Sequence, residues 1–390
     1  MSTLTCHTAG ESHGPALTVL INGLPAGLEL DFDFIDAELR RRQGGYGRGA
    51  RQKMESDAAT FLAGVRLGRT TGAPVVIQIA NRDSRLDDLE KTPPLHRPRA
   101  GHADLAGSLK WLTTDCRETL ERASARETAA RTAAGAVARC LLREFEIEAF
   151  GFVRGLLDAV TEVEVSEEKL DDLIRGREAS EVYCPDEAVS AKIIEHIRRA
   201  KEDKDTVGGI AEVHVFGCPP GLGSCANYDQ KLDGRLAGAV MSIQAFKSVE
   251  IGLGAECARR RGSEVHDPIL FDERKRGTAS LGFVRPTNNA GGLEGGMTNG
   301  EPIVVRGVMK PISTLLMGMP SVDLNTREPQ HSAYERSDVC ALPAASVVME
   351  NVVAFEVART FLEKFAGDSM HEVQANYESF MEMARALPID

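Results

Sequence analysis

Ser124-Ala125-Arg126-Glu127-Thr128-Ala129-Ala130-Arg131-Thr132-Ala133-Ala134-Gly135-Ala136-Val137-Ala138-Arg139-Cys140-Leu141-Leu142 is the stretch whose reading decides the fold. Ser124 and Glu127 have the S-x-x-E spacing of a capping box, in which each side chain satisfies an amide left unpaired at a helix start. Beyond them the pattern is helical to Phe145 and built largely of alanine plus Gly135. Side chains this small let neighbouring backbones approach closely, which predicts a helix sandwiched deep within the protein. Its N-terminus offers spare N–H groups and the positive end of the helix dipole. Arg122 and Arg126 flank it, so an anion seat is expected there.

Outward from this helix, short β-rich runs occupy Ala16–Asn22, Pro74–Ala80, Ile210–Phe216 and Ile303–Met309. Helical patterns occupy Asp33–Gln43, Glu167–Arg175, Glu187–Lys204, Gln230–Phe246, Leu342–Phe365 and the C-terminal segment. Strands and helices do not alternate in a strict βαβ rhythm, which favours an α+β fold with mostly antiparallel pairing. No Pro/Gly/Ser-rich linker divides the chain, so residues 1–390 are expected to form a single large domain.

The composition, with 42% hydrophobic and 27% charged residues, is that of a globular protein. The start, MSTLTCHTAGESHG, has neither the basic nor the apolar segment of a secretory leader. No apolar run is long enough to span a bilayer. A soluble, cytoplasmic protein is expected. Eight cysteines lie scattered without C-x-x-C or zinc spacing, so buried or semi-buried reduced thiols are expected and no metal site. The net charge of −12 argues against nucleic acid as a partner. The surplus is uneven. Asp158–Asp205 carries fifteen acids against eight bases, whereas Asp36–Arg69 carries eight bases against four acids.

Six constellations carry candidate chemistry. Gly10-Glu11-Ser12-His13-Gly14 places an imidazole between glycines after a short strand, which suits close approach to a ligand or a plain surface turn. Arg40-Arg41-Arg42-Gln43-Gly44-Gly45-Tyr46-Gly47-Arg48-Gly49 combines guanidinium forks with a pliant backbone. It suits carboxylate and phosphate, with a solvated helix end or a nucleic-acid contact as alternatives. Arg97-Pro98-Arg99-Ala100-Gly101-His102-Ala103-Asp104 sets a second histidine beside two arginines. Thr287–Gly300 is glycine-rich but fits neither a dinucleotide fingerprint nor a P-loop, leaving a ligand-hugging loop or paired hairpin turns. Lys310-Pro311-Ile312-Ser313-Thr314 offers an ammonium and two hydroxyls after a strand. Arg336-Ser337-Asp338 places a carboxylate before the helix begun by Pro343.

Taken together and in this order, these segments resemble the chorismate synthase family. The likeness rests on G-E-S-H-G, R-R-R-Q-G-G-Y-G-R, G-H-A-D-L, S-A-R-E-T-A, I-Q-A-F-K, E-G-G-M-T-N-G, M-K-P-I-S-T and E-R-S-D, and runs from about residue 4 to 365. The resemblance implies a sandwich with helices between antiparallel sheets, assembled as a homotetramer. It implies an anti 1,4-elimination of phosphate from 5-enolpyruvylshikimate 3-phosphate, giving chorismate. That reaction requires reduced FMN without net redox change. NADPH would be the ultimate reductant, and the absence of an extra nucleotide motif points to an external flavin reductase.

Site roles carry over with the resemblance. His13 would protonate the departing phosphate, His102 would stabilise the reduced flavin, and Asp338 would assist proton removal from the substrate ring. Ser12 and Ser124 would support the relay. Arg42 and Arg48 would clamp the substrate or contact NADP. Arg122, Ala123, Ser124, Gln244, Ala245, Gly295, Lys310, Pro311, Ile312, Ser313, Thr314 and Arg336 match flavin-contacting positions. The chain departs from the family pattern at Ala123, which replaces a serine, and at Ala100, which replaces a frequent proline. Its Arg82–Leu95 segment is also short.

Overall fold

The alanine-rich stretch forms the helical heart of the molecule. In the computed structural model, which describes residues 3–49, 56–332, 335 and 337–388, helix α4 spans Thr128–Arg143 and buries fourteen of its sixteen residues. A helix buried on all sides needs small residues where backbones cross. At Gly135 an added Cβ would lie 2.3 Å from the Asn351 carbonyl oxygen, so only glycine fits. The capping box does not form. Ser124 accepts from the Arg126 N–H at 3.3 Å, in a single 3-10 turn (Ala125–Glu127) that precedes α4. Glu127 turns away to accept from the Thr8 hydroxyl at 2.6 Å and the Gln244 amide at 3.2 Å. Partners from distant strands and loops outcompete the local back-bond.

The remaining helices used below are α1 (Phe32–Gln43), α2 (Asp104–Trp111), α3 (Arg117–Ala123), α5 (Leu170–Ala179), α6 (Glu187–Glu202), α7 (Leu232–Met241), α8 (Leu342–Lys364) and α9 (Met370–Arg385). Strands β1 (Thr5–Ala9), β2 (Ala16–Asn22), β3 (Thr60–Ala63) and β4 (Val75–Ala80) pair in the order β1-β2-β4-β3. Strands β5 (Glu148–Leu156), β6 (Ala159–Val160), β7 (Gly209–Phe216), β8 (Phe246–Ile251) and β9 (Ile303–Met309) pair in the order β8-β9-β7-β5-β6. Every pairing in both sheets is antiparallel.

Helix α4 packs on β2 and β4 of the first sheet and along α8, which in turn lies on β5, β7 and β9 of the second. The architecture is therefore α+β, with helices held between two antiparallel sheets, and one apolar core joins both sheets to the helical layer. The alternating burial of β2 and β4, apolar side inward, sets the first sheet's register.

No described helix is long and apolar enough to cross a membrane. The thiol expectation needs one correction. Cys225 and Cys257 are exposed, because the segments carrying them run over the surface.

Candidate active site

The first histidine is not on the surface. His13 is 7% exposed and is held from the side by α3. Its Nδ1 lies 2.9 Å from both oxygens of the Glu121 carboxylate, and its backbone N–H donates to Glu121 Oε2 at 2.9 Å. The Ser12 N–H donates to the Glu121 carbonyl at 3.1 Å. Burial works to raise the Glu121 carboxyl, but the hydrogen bond and charge of His13 outweigh it and hold the group below the ordinary carboxylate range. On the other side of the ring, Nε2 lies 3.3 Å from the Arg85 guanidinium and 3.6 Å from Asp83. The Ser124 hydroxyl donates to Ser12 Oγ at 3.2 Å, so the two serines stand together between the His13 turn and the start of α4.

The second histidine has the same arrangement. His102 Nδ1 lies 2.5 Å from Asp104 Oδ1, and Asp104 is wholly buried at the first turn of α2. Arg99 grips that carboxylate through Nε at 2.8 Å and a second nitrogen at 3.1 Å. Burial opposes the Asp104 charge, yet hydrogen bonds from His102 and Arg99 hold it well below its usual range. His102, Arg99, Leu105 and Val322 are among the residues that line an open groove of about 660 Å³. Neither His13 nor Asp338 lines this groove.

Asp338 is positioned by the loop after α1. Arg48 approaches its Oδ2 at 2.7 Å and the Gly49 N–H donates to Oδ1 at 2.7 Å. Gly47, at φ +89°, makes the turn that brings these donors round, and its carbonyl accepts from Val339 and Cys340. The neighbouring Ser337 hydroxyl donates to the Thr314 carbonyl at 3.0 Å, and Thr314 Oγ1 accepts from Arg99 at 3.0 Å. This short path links the Asp338 and His102 loops.

Arg42 is buried against the start of α4. It donates to Thr128 Oγ1 at 3.0 Å and to the Ala125 carbonyl at 2.9 Å. Burial, together with the nearby cations Arg126 and Arg48, pushes it down to about 9 against the pull of Asp57 and Asp338. The expected anion seat is altered in detail. Arg126 is buried and engaged with Asp57 at 2.7 Å and Asn81 at 2.8 Å, while Arg122 donates to the carbonyls of Gly10 and Thr8 at 3.0 Å.

The Lys310–Thr314 stretch follows β9. The Lys310 N–H donates to the Ala245 carbonyl at 2.9 Å and its ammonium donates to the Gly101 carbonyl. Pro311 and Ser313 sit in the same half-exposed turn, and the Ile312 carbonyl accepts from the Thr206 hydroxyl at 2.7 Å. Gln244 and Ala245, just beyond the C-terminal end of α7, therefore join Lys310, and Gln244 also meets Glu127. Ala123 is half-buried between Arg122 and Ser124. Gly295 does not join them. It turns the hairpin of Leu293–Glu294 with Met297–Thr298, whose Gly296 carbonyl accepts from Leu232 at the opposite end of α7. Ten helical residues separate the two places by about 15 Å. Arg336 lies outside the described residues.

Sequence reasoning did not single out Glu121, Arg117, Asp83, Arg85, Asp57 or Asn81. Asp104 was within reach, since it stands two residues from His102 inside a motif already noted. Glu121 is 108 residues from His13, and no local pattern pairs them.

Whether a reduced flavin suits these residues is tested by their unmet needs. Gln244 Oε1 is buried without a hydrogen-bond partner among the described residues. Lys310 is pushed down by burial and then by the neighbouring Lys247. A ligand with an N–H donor and a negative charge relieves both, and an anionic flavin has both. The residues fit the group.

The chorismate synthase family model matches residues 4–362. The chain is 51% identical over 388 residues to the chorismate synthase of Desulforudis audaxviator, covering 97% of each chain. It is 51% identical over 390 residues to that of Geobacter sulfurreducens, covering 97% of this chain and 98% of the other. A solved structure titled "Crystal Structure of Chorismate Synthase" superposes with a TM-score of 0.80 at 40% identity, over 99% of this chain and 100% of that one. This chain belongs to the chorismate synthase family.

Proposed function

We propose that the protein is a lyase that eliminates phosphate from 5-enolpyruvylshikimate 3-phosphate in the presence of reduced FMN, giving chorismate without net redox change. The observation that carries this reading is the pair of imidazole–carboxylate contacts, His13 with Glu121 and His102 with Asp104, beside a cluster of buried arginines. Paired imidazoles suit proton movement, and clustered guanidinium groups suit a substrate bearing two carboxylates and a phosphate.

When bound, reduced FMN supplies electron density that assists phosphate departure and recovers it as the ring proton leaves. The chain's own residues do the rest. His13 delivers a proton from Nε2 to the departing phosphate, and Ser12 and Ser124 hold the turn that carries it. His102, oriented by Asp104, stands on the open groove and would hold the flavin's pyrimidine edge there. Asp338, aimed by Arg48 and the Gly49 amide, assists removal of the ring proton. Arg42 and Arg48 counter the substrate's charge. Lys310 through Thr314, Gln244, Ala245 and Arg122 through Ser124 would hold the flavin from one protomer. Gly295, at the far end of α7, would serve the flavin of a neighbouring subunit in a homotetramer. The enzyme works in the cytoplasm as one folded unit, with flavin reduced by a separate NADPH-dependent reductase.

The test is phosphate release from 5-enolpyruvylshikimate 3-phosphate under anaerobic conditions with dithionite-reduced FMN. Wild-type protein turns over, and His13→Ala and Asp338→Asn lower kcat by about 10²–10⁴-fold while keeping the fold. No turnover by the wild type overturns the reading, and full turnover in both variants overturns the two roles.

A further inference from the structure

We propose that Glu121 is the positioning residue for His13, fixing which ring nitrogen faces the departing phosphate. This rests on the lyase reading of His13. The geometry behind it does not. Glu121 is 1% exposed, lies on α3, and meets His13 twice, through the backbone N–H and through Nδ1, each at 2.9 Å. A carboxylate is acceptor-only, so Nδ1 must carry a proton. The neutral ring is thereby held as the Nδ1–H tautomer with its lone pair at Nε2, where the Arg85 guanidinium stands 3.3 Å away. Once Nε2 is protonated, the same carboxylate is the counter-charge of the imidazolium.

Glu121 is itself held. Its backbone carbonyl takes the Ser12 N–H, and Arg117 lies 3.7 Å from Oε1. Arg117 is anchored to Glu335 at 3.0 Å and to the Pro93 carbonyl at 3.1 Å. The groups facing the ring are Glu121 from α3 and Asp83 and Arg85 from the loop after β4, with Arg117 behind the carboxylate. The depressed Glu121 carboxyl agrees with a permanent negative charge at neutral pH. A single glutamate thus ties the His13 turn to a helix 108 residues away. Its loss leaves the ring free to swap tautomers and rotate.

The experiment compares wild type, Glu121→Gln and Glu121→Asp by two readouts. The first is the ¹⁵N–¹H correlation of the His13 ring in protein without ligands, at a pH where the ring is neutral. The second is kcat and KM for phosphate release with reduced FMN. Wild type is expected to show the proton on Nδ1. Glu121→Gln, with one carbonyl oxygen for two donors, is expected to mix tautomers and lose about 10²-fold or more in kcat with KM little changed. Glu121→Asp keeps the charge and is expected to restore Nδ1–H and part of kcat.

A Glu121→Gln ring identical to wild type overturns the proposal, as does altered tautomerism with kcat unchanged. If Glu121→Gln does not fold, Glu121→Asp decides: its kcat must recover with the Nδ1–H signal, and a loss of about 10²-fold or more beside a wild-type tautomer overturns the role. The ring measurement needs neither flavin nor substrate. A wild type that fails to turn over therefore sinks the lyase reading without touching the positioning result.

Discussion

Arg41 and Arg42 are adjacent on α1 and enter two different charge networks. Arg41 points into the helical layer, where it meets Glu350 at 2.5 Å and Glu38 at 2.6 Å, with Arg139 reaching the same two carboxylates at 3.1 and 3.0 Å. Burial alone would lower Arg41, but Glu350 and Glu38 outweigh it and hold the guanidinium above its ordinary value. Arg42 points the other way, to the start of α4, where burial first and then its neighbours Arg126 and Arg48 push it down to about 9. In the first network charges cancel inside the protein. In the second, among the described residues, Arg42 has its nearest carboxylate, Asp57, at 3.4 Å and shares it with Arg126 at 2.7 Å, so its own charge is the less well matched. Balanced buried charge belongs to the scaffold, while unbalanced buried charge waits for a ligand of the opposite sign.

The largest effect is expected from breaking the balanced network. Glu350→Gln removes the carboxylate shared by Arg41, Arg139 and Arg177 and leaves buried cations uncompensated. Unfolding free energy from denaturant titration is expected to fall by about 3–5 kcal/mol. A loss under about 1 kcal/mol would mean that the cluster's remaining carboxylates suffice.

The pH dependence of the same network comes next. Glu38 is lowered from 4.5 to about 2, because Arg41 and Arg139 overcome its burial. A carboxyl with a depressed folded-state value contributes stability that is complete above its unfolded value and lost as pH falls through the folded one. Thermal melts are expected to hold down to about pH 4.5 and then drop steadily towards about pH 2. Melts that stay level across that window would contradict the assignment.

The unbalanced network should answer oppositely. Arg42→Met removes three hydrogen bonds to neutral oxygens and a long contact to Asp57 at 3.4 Å, but leaves Asp57 paired with Arg126 at 2.7 Å. The stability cost is expected to be only about 1–2 kcal/mol by denaturant titration. KM for 5-enolpyruvylshikimate 3-phosphate is expected to rise by about tenfold or more. Equal losses in Glu350→Gln and Arg42→Met would erase the distinction between the two regions.

Much of the scaffold is legible without coordinates. The alanine run from Ala125 to Leu142 predicts a buried helix, and α4 is one, because small side chains let neighbouring backbones close around it. The four predicted β-rich runs correspond to β2, β4, β7 and β9. Strands β1, β5 and β8 escape such reading: in β1 the pattern TCHTA is too short and polar to stand out. The site is legible in part. Glycine-flanked histidines announce themselves, and both stand on buried carboxylates. Within the glycine-rich Thr287–Gly300 segment, Leu293–Glu294 pairs with Met297–Thr298 in one hairpin.

Local chemistry thus determined the buried helix, the antiparallel class and the histidines worth watching, because propensity, capping and periodicity act over a few residues. Only the tertiary structure decided which arginine meets which acid. Arg41 and Glu350 are 309 residues apart, and His13 and Glu121 are 108 apart. Such pairs are chosen by how helices cross between the sheets, where a rotation of one residue along α1 separates a guanidinium set between two carboxylates from one whose shortest bonds go to neutral oxygens.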